Sequence, residues 1–357
     1  MKRIAAFAII LVWIATSAPA QAIRAGNLLD HPDSWYTSDD GKQMITNVIS
    51  WQTKEGGWAK GYKGDHVHKE GEALGEWEGV GTIDNKYTYN ENRFLARAYN
   101  LTKRPDALDS FNRGIDYLLA AQYPNGGWPQ RYPVPNNYGR NITFNDNAMT
   151  NVLRLLEDIH TGDKDFTFVD ADRKAKIKQA WEKGIECIVK AQISSAGKLT
   201  AWAQQHDPQT LAPAPGRSYE LPSISGSESS DIVELLMSID QPSPEIIKSI
   251  QAAAAWFEAS KITGKRIEMV REEGYSRPIM KLVDDPKASP VWARFYELET
   301  NRPFFCNRDG VKHYSLEEID KERSMGYAWY GSWGQKLERD YPKWAQKHSV
   351  SVSATKP

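Results

Sequence analysis

Apolar residues recur every three or four positions in several long segments of the chain, which predicts amphipathic helices. One such segment ends at Gln122 and another ends at Gln192. Polar clusters predict further helix starts near Asn90, Asp146 and Ser229. The apolar positions before Gln122 are Leu108, Phe111, Ile115, Leu118 and Leu119. The chain is therefore predicted to be mainly α-helical.

The helical segments belong to an internal repeat. Gln52, Gln122 and Gln192 are spaced 70 residues apart, and each follows an apolar-periodic segment. The first two copies read WQTKEGGW and AQYPNGGW, and the third is degraded to AQISSAGKLTAW. A fixed period of this kind indicates stacked supersecondary units. We therefore predict helical hairpins arranged around a centre, as a partial α/α toroid.

The pattern changes after residue 261. Residues 266–270 alternate between polar and apolar, and residues 307–310 end in an Asp-Gly turn signal. Residues 261–314 are predicted to form a small irregular segment with short strands. Ser315 and Glu318 have capping-box spacing, which predicts that one last helix starts there.

The first 22 residues are typical of a cleavable secretory signal. They combine Lys2 and Arg3 with an apolar stretch and small residues at Ala18, Ala20 and Ala22. We expect a secreted or periplasmic protein with a single catalytic domain over residues 23–349 and a disordered tail over residues 350–357. The apolar runs that follow the signal are too short to span a membrane.

Charge and cysteine content narrow the possible partners. Without Lys2 and Arg3 the chain has 43 basic and 46 acidic residues. This balance argues against nucleic acid and against an anionic membrane surface as partners. Cys187 and Cys306 could pair after export, but their spacing does not decide it. The sequence also leaves the oligomeric state open.

A row of cations crosses an aromatic stretch at residues 280–310. Lys281, Arg294, Arg302 and Arg308 recur there on a background of Trp, Tyr and Phe. Arg is suited to bidentate recognition of carboxylates, and Lys supplies a mobile point charge. The row predicts one groove for a polyanion. The alternative is structural ion pairing, with acidic partners at Asp284, Asp285, Glu297 and Glu299.

Three successive Asx residues, Asn145, Asp146 and Asn147, stand at a predicted helix start. A single Asx suffices to cap a helix, so the others leave oxygens free for a ligand. Oxygen ligands suit calcium. Asp207, in the loop after the third repeat, could supply a second carboxylate for the metal. Spacings typical of zinc sites do not occur.

Five longer motifs are GGWPQRYP (126–133), ITFNDNAM (142–149), AWAQQHDP (201–208), SYELPSISG (218–226) and WARFYELETNRPFFCNRDG (292–310). Together they resemble the motifs of the polysaccharide lyase family ten pectate lyases. The resemblance covers the chain from about Gln43 to Trp333. It implies a partial α/α-toroid fold and calcium-dependent β-elimination of polygalacturonate.

The resemblance also implies roles for individual residues. Arg294 corresponds to the catalytic arginine, and Asp146 and Asp207 to the carboxylates that bind calcium. Candidates for binding the substrate are Lys281, Arg308, Arg217 and Asn147, with Arg302 added from the cation row.

β-Elimination sets a demand on the arginine. The proton on C5 of the uronate is weakly acidic until calcium, Lys or Arg neutralises the neighbouring carboxylate. Arg has a very high usual pKa, far above neutral pH, so a base at Arg294 needs surroundings that favour its neutral form. We expect Lys281, Arg308 and calcium to provide them, with an alkaline optimum as a consequence.

Three alternatives differ in their chemistry. A glycoside hydrolase on an α/α toroid would use Asp146 and Asp207 as acid and base. A non-catalytic pectin-binding protein would bind the same polymer without turnover. The Gln and Trp repeat also resembles that of terpene cyclases, but Asp284-Asp285 lacks the aspartate motif that those enzymes need.

Overall fold

The computed structural model describes residues 27–350, so the predicted signal peptide and most of the predicted tail lie outside the described residues. Within this range the chain is mainly α-helical, as predicted. The helices are α1 (Asp33–Tyr36), α2 (Asp39–Ser50), α3 (Tyr89–Thr102), α4 (Pro105–Ala121), α5 (Ala148–Thr161), α6 (Ala171–Ala191), α7 (Gly226–Ser238), α8 (Pro244–Ser260), α9 (Lys321–Gly326) and α10 (Trp333–Lys347).

The helices form successive hairpins, in which α3 packs on α4, α5 on α6 and α7 on α8. The first helix of each hairpin also contacts the first helix of the next, so that α3 touches α5, α5 touches α7 and α7 touches α10. Buried aromatic and aliphatic side chains from all the hairpins form one continuous core. This arrangement confirms the predicted partial α/α toroid.

The described strands are short and pair into two-stranded antiparallel sheets. Three of these sheets join the segment before an inner helix to a later part of the chain, and they pair β1 with β2, β3 with β6 and β7 with β11. The strands are β1 (Gly81–Thr82), β2 (Arg131–Tyr132), β3 (Ile142–Thr143), β4 (Ser194–Ser195), β5 (Lys198–Leu199), β6 (Gln205–His206), β7 (Ile224–Ser225), β8 (Lys265–Val270), β9 (Ile279–Asp284), β10 (Trp292–Ala293), β11 (Phe295–Tyr296), β12 (Phe305–Cys306), β13 (Lys312–His313) and β14 (Tyr330–Gly331).

The repeated glutamines tie neighbouring hairpins together. Gln52 donates hydrogen bonds from Nε2 to the carbonyl oxygens of Gly56 and Ser110. Gln122 bonds in the same way to Gly126 and Ala180. Gln192 bonds to Thr200 and Ser249. Each glutamine therefore satisfies one carbonyl in its own loop and one in the next outer helix, which gives the 70-residue period a physical role.

A repeated tryptophan makes a second hydrogen bond at an equivalent position in each repeat and reveals a fourth copy of the repeat. The indole Nε1 of Trp58 donates to the Val48 carbonyl, and the indoles of Trp128, Trp202 and Trp292 donate to carbonyls of Leu118, Ile188 and Phe257. Each acceptor lies near the end of the preceding outer helix. The fourth copy was not predicted because the β8–β9 hairpin separates α8 from Trp292.

The segment at residues 261–314 has the predicted short strands. β8 pairs with β9 over six residues, and β12 pairs with β13 around a turn that ends at Gly310, whose φ is 78°. The capping-box prediction was wrong: Ser315 opens only a 3-10 turn, Leu316–Glu318, and two helices, α9 and α10, follow it.

Two further findings concern the cysteines and the membrane. Cys187 and Cys306 are both buried and both free, so they do not form a disulfide. Among the described residues no helix combines the length and apolar character that crossing a bilayer requires.

Candidate active site

Three short strand ladders bring the helix starts of successive hairpins together. The Phe144 and Asn145 N–H groups both donate to the Gln204 carbonyl, and the Gly226 N–H donates to the Arg294 carbonyl. A side chain at Gly226 would place its Cβ 2.5 Å from the Ala293 oxygen, so glycine allows α7 to start directly against this strand. The start of α7 therefore lies beside Arg294.

A polar cavity lies at these helix starts. Its lining carries two cations and three carboxylates, together with amide side chains and two aromatic rings. The lining residues are Lys60, Trp77, Asp84, Asn85, Gln130, Tyr138, Asn145, Asp146, Gln205, Arg217 and Glu220. Asp146 adopts a left-handed conformation with φ of 51°, which is unusual for a residue with a side chain and is frequent at functional sites.

Arg294 lies next to Asp146, which lines the cavity. The arginine is 7% exposed, and its Nη2 lies 4.0 Å from Oδ1 of Asp146. The same Nη2 donates a hydrogen bond of 2.5 Å to Oε1 of Glu228. The Tyr327 ring lies 4.6 Å from the guanidinium carbon. Arg294 is therefore fixed by a buried ion pair and a stacked ring, and its Nε has no hydrogen-bond partner.

The surroundings of Arg294 are anionic, which corrects the expectation that cations favour its neutral form. Burial alone would lower the pKa of Arg294, but the charges of Glu228 and Asp146 outweigh burial and raise it above its usual value. The guanidinium therefore carries its proton at rest. Burial and the nearby Glu228 in turn raise the pKa of Asp146.

The other cations of the 280–310 stretch do not line this cavity. Lys281 pairs with Glu272 at 3.0 Å in a separate depression, and Arg308 pairs with Glu322 at 3.0 Å. Arg302 stacks on Tyr314, with 3.6 Å between the guanidinium carbon and the ring centre. The idea that Lys281 and Arg308 surround Arg294 was therefore wrong. The acids Asp284, Asp285, Glu297 and Glu299 are not their partners either.

Arg217 does line the cavity. It makes a bidentate contact with Glu220, through Nε at 2.9 Å and Nη2 at 2.5 Å. Burial would lower the pKa of Arg217, but the neighbouring Glu220 outweighs burial and raises it. Burial would raise the pKa of Glu220, but Arg217 outweighs burial and lowers it. Arg308 does not line the cavity, but Arg308 and Arg217 both lie over the ring of Tyr219. Asn147 lies beside Asp146 as the left-handed residue before α5.

The cavity offers oxygen ligands that fit calcium. Asp146 has 44% of its side chain exposed, and Gln130 and Gln205 each have a buried Oε1 atom without a hydrogen-bond partner. Carboxylate and amide oxygens are the ligands that calcium prefers. Together with water and substrate oxygens, they could complete a calcium site.

Asp207 lies at the opposite end of the β3–β6 ladder from Asp146. β3 and β6 run antiparallel, with Ile142 opposite His206, so Asp146 and Asp207 continue away from the ladder in opposite directions. Oδ1 of Asp207 accepts N–H groups of Gln209 and Thr210, and these bonds lower the pKa of Asp207. Asp207 does not line the cavity of Asp146. Its role as a metal ligand stays a prediction.

Several residues of the site were not predicted, among them Lys60, Glu220, Glu228 and Tyr327. Lys60 had a signal in the sequence, because the four repeated tryptophans are each followed two positions later by a polar residue. These triplets are Trp58-Ala59-Lys60, Trp128-Pro129-Gln130, Trp202-Ala203-Gln204 and Trp292-Ala293-Arg294. Glu228 had no such signal, since it reads as an ordinary first-turn glutamate of α7.

The family of the chain follows from comparison with known proteins. The family model described as pectic acid lyase matches residues 52–338. This match covers more than half of the chain. The chain belongs to the pectic acid lyase family. Comparison with curated protein sequences gave no match.

Solved structures agree with this membership. The family 10 polysaccharide lyase from Cellvibrio cellulosa is 31% identical to this chain, and the two structures superpose with a TM-score of 0.76. The match covers 89% of this chain and 94% of the Cellvibrio chain. A mutant of the Cellvibrio enzyme in complex with trigalacturonic acid gives the same identity and TM-score, over 89% and 95%. The protein is therefore a polysaccharide lyase, as the resemblance predicted.

Proposed function

We propose that this lyase cleaves polygalacturonate by β-elimination at the cavity beside Arg294. The observation that carries the proposal is the buried arginine held 4.0 Å from the carboxylate of Asp146, at the edge of a cavity lined by further cations. A cation fixed before the substrate arrives stabilises charge that develops in the transition state without reorganisation. The complex of the Cellvibrio enzyme with trigalacturonic acid supports a uronate polymer as substrate.

Calcium belongs to this proposal as the second source of positive charge. Asp146 would hold it with the free amide oxygens of Gln130 and Gln205, and Asp207 remains a predicted further ligand. When bound, calcium acts as a Lewis acid that withdraws charge from the uronate carboxylate and so acidifies the C5 proton.

Arg294 takes the C5 proton in this scheme, and Glu228 makes this possible. A base must be neutral, whereas the anions around Arg294 keep it protonated at rest. Oε1 of Glu228 already accepts the hydrogen bond from Nη2, so Glu228 relays the proton of Arg294 to solvent and returns to its carboxylate form. A nitrogen of Arg294 then accepts the C5 proton, the C4–O bond breaks, and the leaving oxygen takes a proton from solvent. The new C4–C5 double bond remains in the product.

Incubation of the purified protein with polygalacturonate tests the proposal. Unsaturated uronides absorb in the ultraviolet, whereas hydrolysis products do not, so absorbance separates a lyase from the alternative glycoside hydrolase. We expect absorbance to rise with calcium present and to stay flat in excess chelator. New reducing ends without absorbance would overturn the proposal. Binding of the polymer without either product would indicate the alternative pectin-binding protein.

A further inference from the structure

Lys60 occupies the same place in the first repeat that Arg294 occupies in the fourth. Both stand two residues after a tryptophan whose indole donates to the preceding outer helix. The two middle repeats carry glutamine at this position, Gln130 and Gln204. The ring of repeats thus presents a cation at each end of the series and neutral amides between them.

Each of the two cations that line the cavity, Lys60 and Arg217, is anchored by an acid that is more deeply buried than the cation itself. The Nζ of Lys60 lies 2.8 Å from Oδ2 of Asp84, and the exposed fractions of the two side chains are 28% and 3%. Arg217 and Glu220 show the same contrast, with 46% and 4%. An acid placed in this way fixes the position of the cation and leaves its remaining N–H groups for a ligand. An ammonium group has three donors, so Asp84 leaves two on Lys60.

An aromatic ring and a second cation lie next to Lys60. The Lys60 Nζ lies 5.0 Å from the centre of the Trp77 ring, and the Arg131 guanidinium carbon lies 4.6 Å from it. Trp77 is half-buried with φ of 53°, a conformation that is costly for a bulky residue and is frequent at binding sites. The neighbours therefore hold the ring in one position at the cavity wall.

Arg131 is a buried cation with an incomplete set of partners. It is 7% exposed, its Nη2 donates to Oδ1 of Asn137, and its Nε has no hydrogen-bond partner. In the described part of the chain no carboxylate forms an ion pair with it, and Asp84 acts on it only as a nearby charge. A buried cation without a counter-ion favours the binding of an anion nearby.

We propose that Lys60, Trp77 and Arg131 form a second uronate subsite, which binds the carboxylate and the ring of a different sugar residue from the one at Arg294. The inference rests on the proposed function, because it concerns another unit of the same polymer. Lys60 donates to the carboxylate, Trp77 packs against the sugar ring, and Arg131 fixes Trp77 and adds positive charge. The plain rival is that Lys60 only neutralises Asp84.

Isothermal titration calorimetry with tri- and pentagalacturonate distinguishes the proposed subsite from this rival. All proteins carry Arg294→Ala, so that the ligand is not cleaved. We expect Lys60→Gln, which installs the residue of the middle repeats, to raise the Kd of pentagalacturonate at least tenfold, and Lys60→Arg to restore it to within threefold. Trp77→Ala should raise Kd about fivefold, because the sugar ring loses the apolar surface that it packs against. Lys63→Gln is the matched control, because Lys63 pairs with Glu72 and does not line the cavity.

A carboxylate subsite also predicts that the effect depends on the ligand's charge. Lys60→Gln should change the Kd of fully methyl-esterified pentagalacturonate less than twofold. An unchanged Kd for the acid ligand in folded Lys60→Gln overturns the subsite, and if that variant does not fold, Trp77→Ala decides in the same way. Unsaturated products from the wild type together with such a result would leave the proposed function standing. If the wild type forms no unsaturated products and the proteins do not bind the oligogalacturonates, both the proposed function and the proposed subsite are overturned.

Discussion

Nη2 of Arg294 and Oε1 of Glu228 share a hydrogen bond of 2.5 Å between two side chains that are both buried. Glu228 is itself held, since the Ser225 hydroxyl donates to its other oxygen. Removing one partner from a buried ion pair is costly because the other charge is left uncompensated. Arg294 and Glu228 therefore act as one unit, and the chemistry proposed for Arg294 depends on both.

Replacing Glu228 by glutamine should abolish most of the turnover. Glutamine keeps the shape but cannot accept the proton of Arg294, so we expect kcat to fall by about 10²–10⁴-fold with the Kd for oligogalacturonate within about threefold. The comparison is Glu220→Gln, which releases Arg217 and should act mainly on KM. A Glu228→Gln enzyme with normal kcat would show that Glu228 takes no part in proton transfer.

The activity should rise steeply with pH. The raised pKa of Arg294 lies above the accessible range, so its neutral fraction grows about tenfold per pH unit throughout that range. Initial rates from product absorbance between about pH 7 and about pH 10 should follow this slope wherever the protein stays folded. A plateau that begins near neutral pH would mean that a group with a much lower pKa accepts the proton.

Asp146→Asn should weaken calcium binding. Removing the carboxylate of Asp146, whose charge the amide oxygens of Gln130 and Gln205 cannot replace, should raise the calcium Kd by at least tenfold, because ligand charge sets affinity at such sites. Calorimetry with calcium alone measures this without relying on activity. Asp172→Asn, on the exposed first turn of α6, is the control. An Asp146→Asn protein with unchanged affinity would place the metal elsewhere.

The free energy of unfolding should decrease as the pH rises from acidic to neutral, because of Glu91. The side chain is buried in α3, accepts one hydrogen bond from Tyr62, and has a second oxygen without a partner. Burial raises the pKa of Glu91 to about 7 from a usual 4.5. The folded state therefore binds a proton that the unfolded state loses in this window, so the free energy of unfolding decreases as pH rises through it.

Urea denaturation of wild type and Glu91→Gln at several pH values measures the effect. The shift corresponds to about 3 kcal/mol between about pH 4.5 and about pH 7. We expect Glu91→Gln to be more stable than wild type above pH 7 and to lack this part of the pH dependence. Parallel stability curves for the two proteins would contradict the assignment.

The sequence was informative where the structure is local and repetitive. The 70-residue spacing of Gln52, Gln122 and Gln192 identified the hairpins because each glutamine repeats the same two backbone hydrogen bonds. Arg294 was identified through a long motif. Contacts between distant segments were not accessible in this way. Glu228 lies 66 residues before Arg294 and meets it through the β7–β11 ladder, which periodicity does not reveal.

Charge pairing was the least predictable part. Lys281, Arg294 and Arg308 looked like one row along the sequence, yet each has its own acidic partner from another element. Partners of this kind depend on which loops meet in the folded chain. The prediction of a cationic environment for Arg294 failed for that reason, and the structure replaces it with an anchored arginine in anionic surroundings.

The most direct test of this account is the turnover of Arg294→Ala on polygalacturonate with calcium present, followed by ultraviolet absorbance alongside calorimetric binding of pentagalacturonate. The account predicts that kcat falls by about 10³-fold or more while the Kd stays within about tenfold of the wild-type value. Wild-type turnover by folded Arg294→Ala would contradict the assignment of the C5 proton to this residue.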